Sequence, residues 1–170
     1  MPGKRRVREE FITLSWVFSA ALGVLFCDQA SKYFLLGSLK QDTSIPIVKN
    51  IFHITLVFNS GAAFGMFSVG ANNYSPLHFF LAFGIAALAI LIVFLPRVLK
   101  ADLVIKIAYA FMLGGISGNL IDRIRFGYVV DFLDFRIWPV FNIADSAISV
   151  AVLLLCVRLL KYKVRETSNQ

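Results

Sequence analysis

Residues 77–95 read LHFFLAFGIAALAILIVFL and contain no charged side chain. At about 1.5 Å of rise per helical residue, this stretch nearly spans the roughly 30 Å hydrocarbon layer of a bilayer. Pro96 follows and is expected to close it. The same signature recurs at residues 11–36, 103–121 and 140–160. Backbone polar groups find no water in lipid, so each segment must satisfy them internally as a helix. The expected fold class is an all-α membrane protein with four transmembrane helices.

Composition agrees. Of 170 residues, 58% are hydrophobic and 16% charged, against about 45–50% and 25% in soluble domains. The length suits one integral membrane domain over residues 1–170. A net charge of +7 would also suit nucleic acid. The basic residues, however, sit in short runs beside apolar stretches, where they meet anionic lipid headgroups. No nucleic-acid partner is expected. Cys27 and Cys156 lie in apolar stretches without CxxC spacing and are expected to be small buried thiols. Lys4-Arg5-Arg6 ahead of an apolar run imitates a secretory leader. No small-x-small cleavage site follows, so the first helix is expected to be retained.

The basic residues also set direction. Lys4, Arg5, Arg6 and Arg8 precede the first span; Arg97, Lys100 and Lys106 lie around the second connection; Arg158, Lys161, Lys163 and Arg165 close the chain. The other side holds the smaller share: Lys32, Lys40, Lys49, Arg123, Arg125 and Arg136. The positive-inside rule places both termini in the cytoplasm and leaves outer loops at 37–76 and 122–139. The first loop contains the alternating Ile54-Thr55-Leu56-Val57-Phe58, ending in the turn residues Asn59-Ser60-Gly61. The second contains strand-like residues 128–135. A small β-sheet in the outer loops is predicted, resting on the membrane surface.

That topology carries Asp28, Asp122, Asp131 and Asp145 to one membrane depth, near the outer face. An ionisable residue in a span costs about 2.5–3.5 kcal/mol on insertion scales and is a functional hypothesis by default. Bland readings stand beside it. Asp28 and Lys32, four apart on a helix, are placed to neutralise one another. Asp122 beside Arg123 reads as an interfacial ion pair, and Asp134 beside Arg136 as a solvated one. Asp145, three after Asn142, reads as a first-turn acid at a helix start. Asp131 is harder to dismiss, because its strand neighbours Val129 and Leu133 supply an apolar setting that raises a carboxyl pKa. Meeting Asp145 there, it would share one proton, the condition of an aspartyl protease dyad. Gly114 and Gly118 form GxxxG, a close-packing signal. Asn59, Asn119 and Asn142 are candidates to brace carboxylates.

Five ordered blocks resemble the lipoprotein signal peptidase (signal peptidase II) family: Asp28-Gln29-Ala30-Ser31-Lys32; Asn59-Ser60-Gly61-Ala62-Ala63-Phe64; the run from Gly114 to Arg123; Val129-Val130-Asp131-Phe132; and Phe141-Asn142-Ile143-Ala144-Asp145. The resemblance implies a bacterial inner-membrane aspartyl endopeptidase that cuts prolipoproteins before a diacylglyceryl-modified cysteine. It implies Asp131 and Asp145 as the catalytic pair. Asp28, Lys32, Asn59, Gly61, Asn119, Asp122, Arg123 and Asn142 become supporting or substrate-contacting positions. Prolipoprotein and membrane lipid are the implied partners, and a monomer is expected. No cofactor or metal is expected, since His53 and His78 are isolated and lack HExxH spacing.

Rival readings fare worse. A Ser31–Lys32 protease dyad fails because helical neighbours point about 100° apart. A proton-coupled transporter would place its acids near the midplane, often within repeats, and none is present. A non-catalytic assembly protein leaves five polar motifs at one depth unexplained.

Overall fold

A computed structural model describes residues 2–61 and 76–168. Four long helices run up and down: α1 (Pro2–Ser38), α2 (Pro76–Val98), α3 (Leu103–Phe126) and α4 (Ile143–Ser168). All four are long and apolar enough to cross a membrane. Between α1 and α2 lie strands β1 (Ser44–Val48) and β2 (Phe52–Asn59); β3 (Val129–Asp134) lies between α3 and α4. The strands form one antiparallel sheet in the order β1-β2-β3.

Lipid as solvent turns the usual packing rule outward. Phe26, Phe83, Ile92 and Leu153 are exposed on the helices, while small residues such as Ala21, Ala108, Ala110, Ala144 and Ala151 are buried. Cys27 and Cys156 are also exposed, which corrects their expected burial. An apolar side chain in a spanning helix needs no protein cover, so hydrophobicity alone does not predict that it is buried. The helix α3 is the centre of the bundle, packed against α1, α2 and α4. Its glycines allow the approach. A Cβ at Gly114 would lie 2.5 Å from the Ala21 carbonyl oxygen of α1, and one at Gly115 would lie 2.6 Å from that of Ala144 of α4. Away from the sheet, Val17, Ala21, Leu91, Val98, Tyr109 and Ala110 form an apolar cluster. There the Tyr109 hydroxyl donates to the Leu91 carbonyl at 3.0 Å. At that same end, Asp102 caps α3 by accepting from the Ile105 amide at 3.1 Å and pairs with Arg158 of α4.

Helix ends differ from the hydropathy limits in instructive ways. Helix α1 exceeds residues 11–36 because its polar flanks also coil. Pro96 does not close α2; it sits in the last turn, two residues before the end at Val98, and removes one N–H from it. Helix α3 passes residue 121 and stops only where Gly127, at φ 81°, supplies the left-handed cap and donates to the Arg123 carbonyl at 3.1 Å. Asp122 therefore belongs to the helix, not to the loop 122–139. Helix α4 starts at Ile143 rather than 140, because Asn142 caps it. Apolar runs measure what lipid tolerates; caps decide where hydrogen bonding stops.

Candidate active site

The sheet-bearing end of the bundle gathers the C-terminal parts of α1 and α3, the N-terminus of α4, and strands β2 and β3. Strand register aligns the first carboxylate. Val57 lies opposite Asp131 and Asn59 opposite Val129, so Asn59 and Asp131 are diagonal neighbours on one face. The Asn59 side-chain amide donates to Asp131 Oδ2 at 2.9 Å. Its Oδ1 accepts from the Gly61 amide at 2.9 Å, an Asx-type turn at a glycine with φ 83°. The remaining second-motif residues, Ala62, Ala63 and Phe64, lie outside the described residues.

The second carboxylate is positioned by a helix cap. Asn142 Oδ1 accepts from the Asp145 amide at 2.9 Å, while Asp145 Oδ2 accepts from the Asn142 amide at 3.4 Å. This is a reciprocal capping box with Asn and Asp in the usual Ser/Thr and Glu places. Asn142 is fully buried, and its Nδ2 faces Asp131 Oδ1 at 2.7 Å, Asn119 Oδ1 at 3.0 Å and the Val130 carbonyl at 3.3 Å. One side chain thus touches Asp131 and starts the helix that carries Asp145. Asn119 Nδ2 donates to Asp145 Oδ1 at 2.7 Å.

Beneath these groups lies an ion cluster. Lys32 Nζ sits 2.8 Å from Asp28 and 2.7 Å from Asp122, and donates to Asn119 Oδ1 at 3.3 Å. All four residues are buried. Asp28 accepts from the Ala144 amide at 2.9 Å, satisfying an otherwise unpaired N–H of the α4 first turn. Asp122 accepts from the Val130 amide at 3.1 Å and so ties α3 to β3. The expected Asp28–Lys32 pair is present. The expected Asp122–Arg123 pair is replaced by Asp122–Lys32, and Arg123 instead stacks 5.0 Å over the Phe80 ring. Gly118 leaves room for this cluster, since a Cβ there would lie 2.6 Å from Asp28 Oδ2.

Burial pushes the Asp131 carboxyl up to about 7; the Asn59 hydrogen bond opposes this and the nearby Asp145 charge adds to it. Strand β3 is covered on both faces, so its apolar setting comes from more than its alternating partners.

Asp134 corrects a second expectation. It is not solvated but buried, accepting from Thr55 Oγ1 at 2.7 Å, the Arg136 amide at 2.9 Å and the Arg136 guanidinium at 2.8 Å. Burial acts to raise its pKa, but these hydrogen bonds win and hold it below the ordinary carboxylate range. Its contribution to stability is therefore present above the unfolded-state pKa and is lost as pH falls through the folded value. Asp134→Ala is expected to lower the unfolding temperature with kcat near normal, read by thermal unfolding and cleavage on one preparation.

Two positions escaped the sequence reading. Gln29 Nε2 donates to Asp122 at 2.9 Å, Asp28 at 3.1 Å and the Gly118 carbonyl at 3.2 Å. Its place inside the first motif was the only hint. Phe80 had no signal, being one phenylalanine among 17.

A family model described as signal peptidase (SPase) II matches residues 20–161. The lipoprotein signal peptidase of Moorella thermoacetica is 47% identical over 142 residues, spanning 82% of this chain and 89% of that one. That of Pseudomonas fluorescens is 39% identical over 158 residues, spanning 90% and 91%. A bacterial membrane enzyme solved by the in meso method at 2.3 Å resolution superposes with a TM-score of 0.75 at 32% identity, over 92% of each chain. With the family match covering most of its length, the chain belongs to the signal peptidase II family.

Proposed function

We propose that Asp131 and Asp145 are the catalytic dyad of this enzyme, an aspartic endopeptidase that removes signal peptides from prolipoproteins. The observation that carries the reading is Asn142, which holds Asp131 by its side chain and Asp145 by a reciprocal cap. One carboxylate takes a proton from water as it attacks the scissile carbonyl, while the other, protonated, donates to the carbonyl oxygen; the first then passes its new proton to the leaving amine as the second recovers its own from the tetrahedral hydroxyl. The proton belongs to the pair jointly. Asn59, Asn119 and Asn142 aim the carboxylates; Asp28, Lys32 and Asp122 lock α1, α3 and α4 around them; Gly61 and Arg123 border the substrate.

The substrate is a diacylglyceryl-modified prolipoprotein, cut on the amino side of the lipid-bearing cysteine. A signal peptide is itself an apolar helix, and its end must unwind where a spanning helix meets a strand, which is where Asp145 and Asp131 lie. The basic-residue distribution supports cytoplasmic termini and a site at the outer face of the inner membrane. Both carboxylates and the asparagines that brace them are complete within one chain, so the reaction needs no second copy.

The test is detergent-purified protein incubated with a prolipoprotein carrying the lipid and with the same protein lacking it. Cleavage of the lipidated form alone is expected on a gel, and equal cleavage of both would remove the lipid from the recognition. In the same assay, kcat/KM should fall as pH rises past about 7, because the shared proton is lost when Asp131 ionises fully. A rate still climbing at pH 9 contradicts the shared proton.

A further inference from the structure

We propose that Phe80 is a positioning residue for this cleavage, holding the Arg123 guanidinium on its ring face while its ring edge seats the Gly61 turn. The inference rests on the dyad reading above and adds to it a residue from α2, the one helix that supplies none of the dyad's braces. Arg123 lies one helical turn beyond Asn119, which donates to Asp145. Its guanidinium is within electrostatic reach of Asp145, Asp131 and Asp122. Among the described residues, its guanidinium donates a long hydrogen bond to the Asn119 carbonyl at 3.3 Å. What fixes the cation is the Phe80 ring, 5.0 Å from Cζ to centroid and inside the cation–π range.

The same ring meets the other side of the site. A Cβ at Gly61 would collide with Phe80 Cε2 and Cδ2, so only glycine lets the turn settle against it. That turn is hydrogen-bonded to Asn59, and Asn59 to Asp131. Phe80 therefore connects mechanically to one carboxylate through Gly61 and Asn59, and electrostatically to both through Arg123. A cation held there, rather than free to swing into solvent, meets the negative charge that develops on the scissile carbonyl oxygen. Because that charge appears in the transition state, losing the cation's position lowers kcat more than it raises KM.

The experiment compares Phe80→Leu, Phe80→Tyr, Arg123→Gln and the Phe80→Leu/Arg123→Gln double variant on lipidated prolipoprotein, measuring kcat and KM. Leucine keeps bulk and removes the π-face. Phe80→Leu is expected to lower kcat about tenfold with KM little changed, a difference of about 1.4 kcal/mol. Phe80→Tyr should recover most of the rate, and the double variant should be no slower than Arg123→Gln alone. A purely structural role predicts the opposite pattern: tyrosine as slow as leucine, or losses that multiply in the double variant. Either result, or wild-type kcat in Phe80→Leu, overturns the proposal. Asp131→Asn and Asp145→Asn in the same assay separate the two readings. If they still cleave, the dyad fails; if they are dead while Phe80→Leu is normal, only Phe80 fails.

Discussion

Asp131→Asn and Asp145→Asn are each expected to abolish prolipoprotein cleavage, with kcat falling by about 10²–10⁴-fold or more, the scale of one general acid–base partner. Neither variant can share a proton between two carboxyls. The change is not free of structural consequence, and the hydrogen-bond directions say why. Asn59 cannot flip its amide, because its Oδ1 accepts from Gly61. Asn142 cannot, because its Oδ1 accepts from the Asp145 amide, and Asn119 cannot, because its Oδ1 accepts from Lys32. Each presents a fixed N–H to a carboxylate oxygen, Asn59 and Asn142 to the two oxygens of Asp131. An asparagine at 131 sets donor against donor at one oxygen, at a cost of about 1–3 kcal/mol for an unsatisfied buried group, partly offset by burying no charge. The unfolding temperature must therefore be measured beside the rate. Near-normal cleavage by either variant would end the dyad assignment; a dead but folded variant supports it.

The same fixed amides explain what could and could not be read from the chain. Four spans were legible because lipid imposes one simple rule, a long apolar run, and Ile54 to Phe58 announced β2 by alternation. The meeting of Asp28, Asp122, Asp131 and Asp145 at one end followed from helix direction alone, without any knowledge of packing. Partner choice was less accessible. Adjacency suggests pairing Asp122 with Arg123, yet helical neighbours diverge by about 100°, which equally keeps Ser31 from Lys32. Arg136, two residues away, suggests a solvated Asp134; its deciding partner, Thr55, is 79 positions distant across the sheet. Gln29 offers little local signal, because its value lies in reaching α3 from α1, a relation no local pattern encodes. Asn142 is half legible: its position three before Asp145 suggests a helix start, but that its Nδ2 also grips Asp131 depends on where β3 arrives.

The other large effect lies below the dyad. Lys32→Met is expected to destabilise the folded enzyme by about 3–5 kcal/mol, the consequence of removing one member of a buried charge cluster. The cation is 2% exposed, and its partners Asp28 and Asp122 are 0% and 1% exposed. Methionine matches the length of the lysine stem, so packing survives while two carboxylates lose their common counter-charge. Gln29, the Ala144 amide and the Val130 amide still donate to them, which moderates the loss without neutralising either. An unfolding temperature lower by roughly 10 °C in detergent is the expected reading for a chain of this size, together with lost cleavage, since Lys32 also orients Asn119 against Asp145. Electrostatics and packing are then separated by a second substitution. Adding Asp122→Asn to Lys32→Met should restore part of the stability, although Asp122→Asn alone destabilises, because the pair act as one unit. Additive losses would mean that Lys32 acts through its hydrocarbon stem, and a wild-type unfolding temperature for Lys32→Met would mean that the buried carboxylates never depended on it.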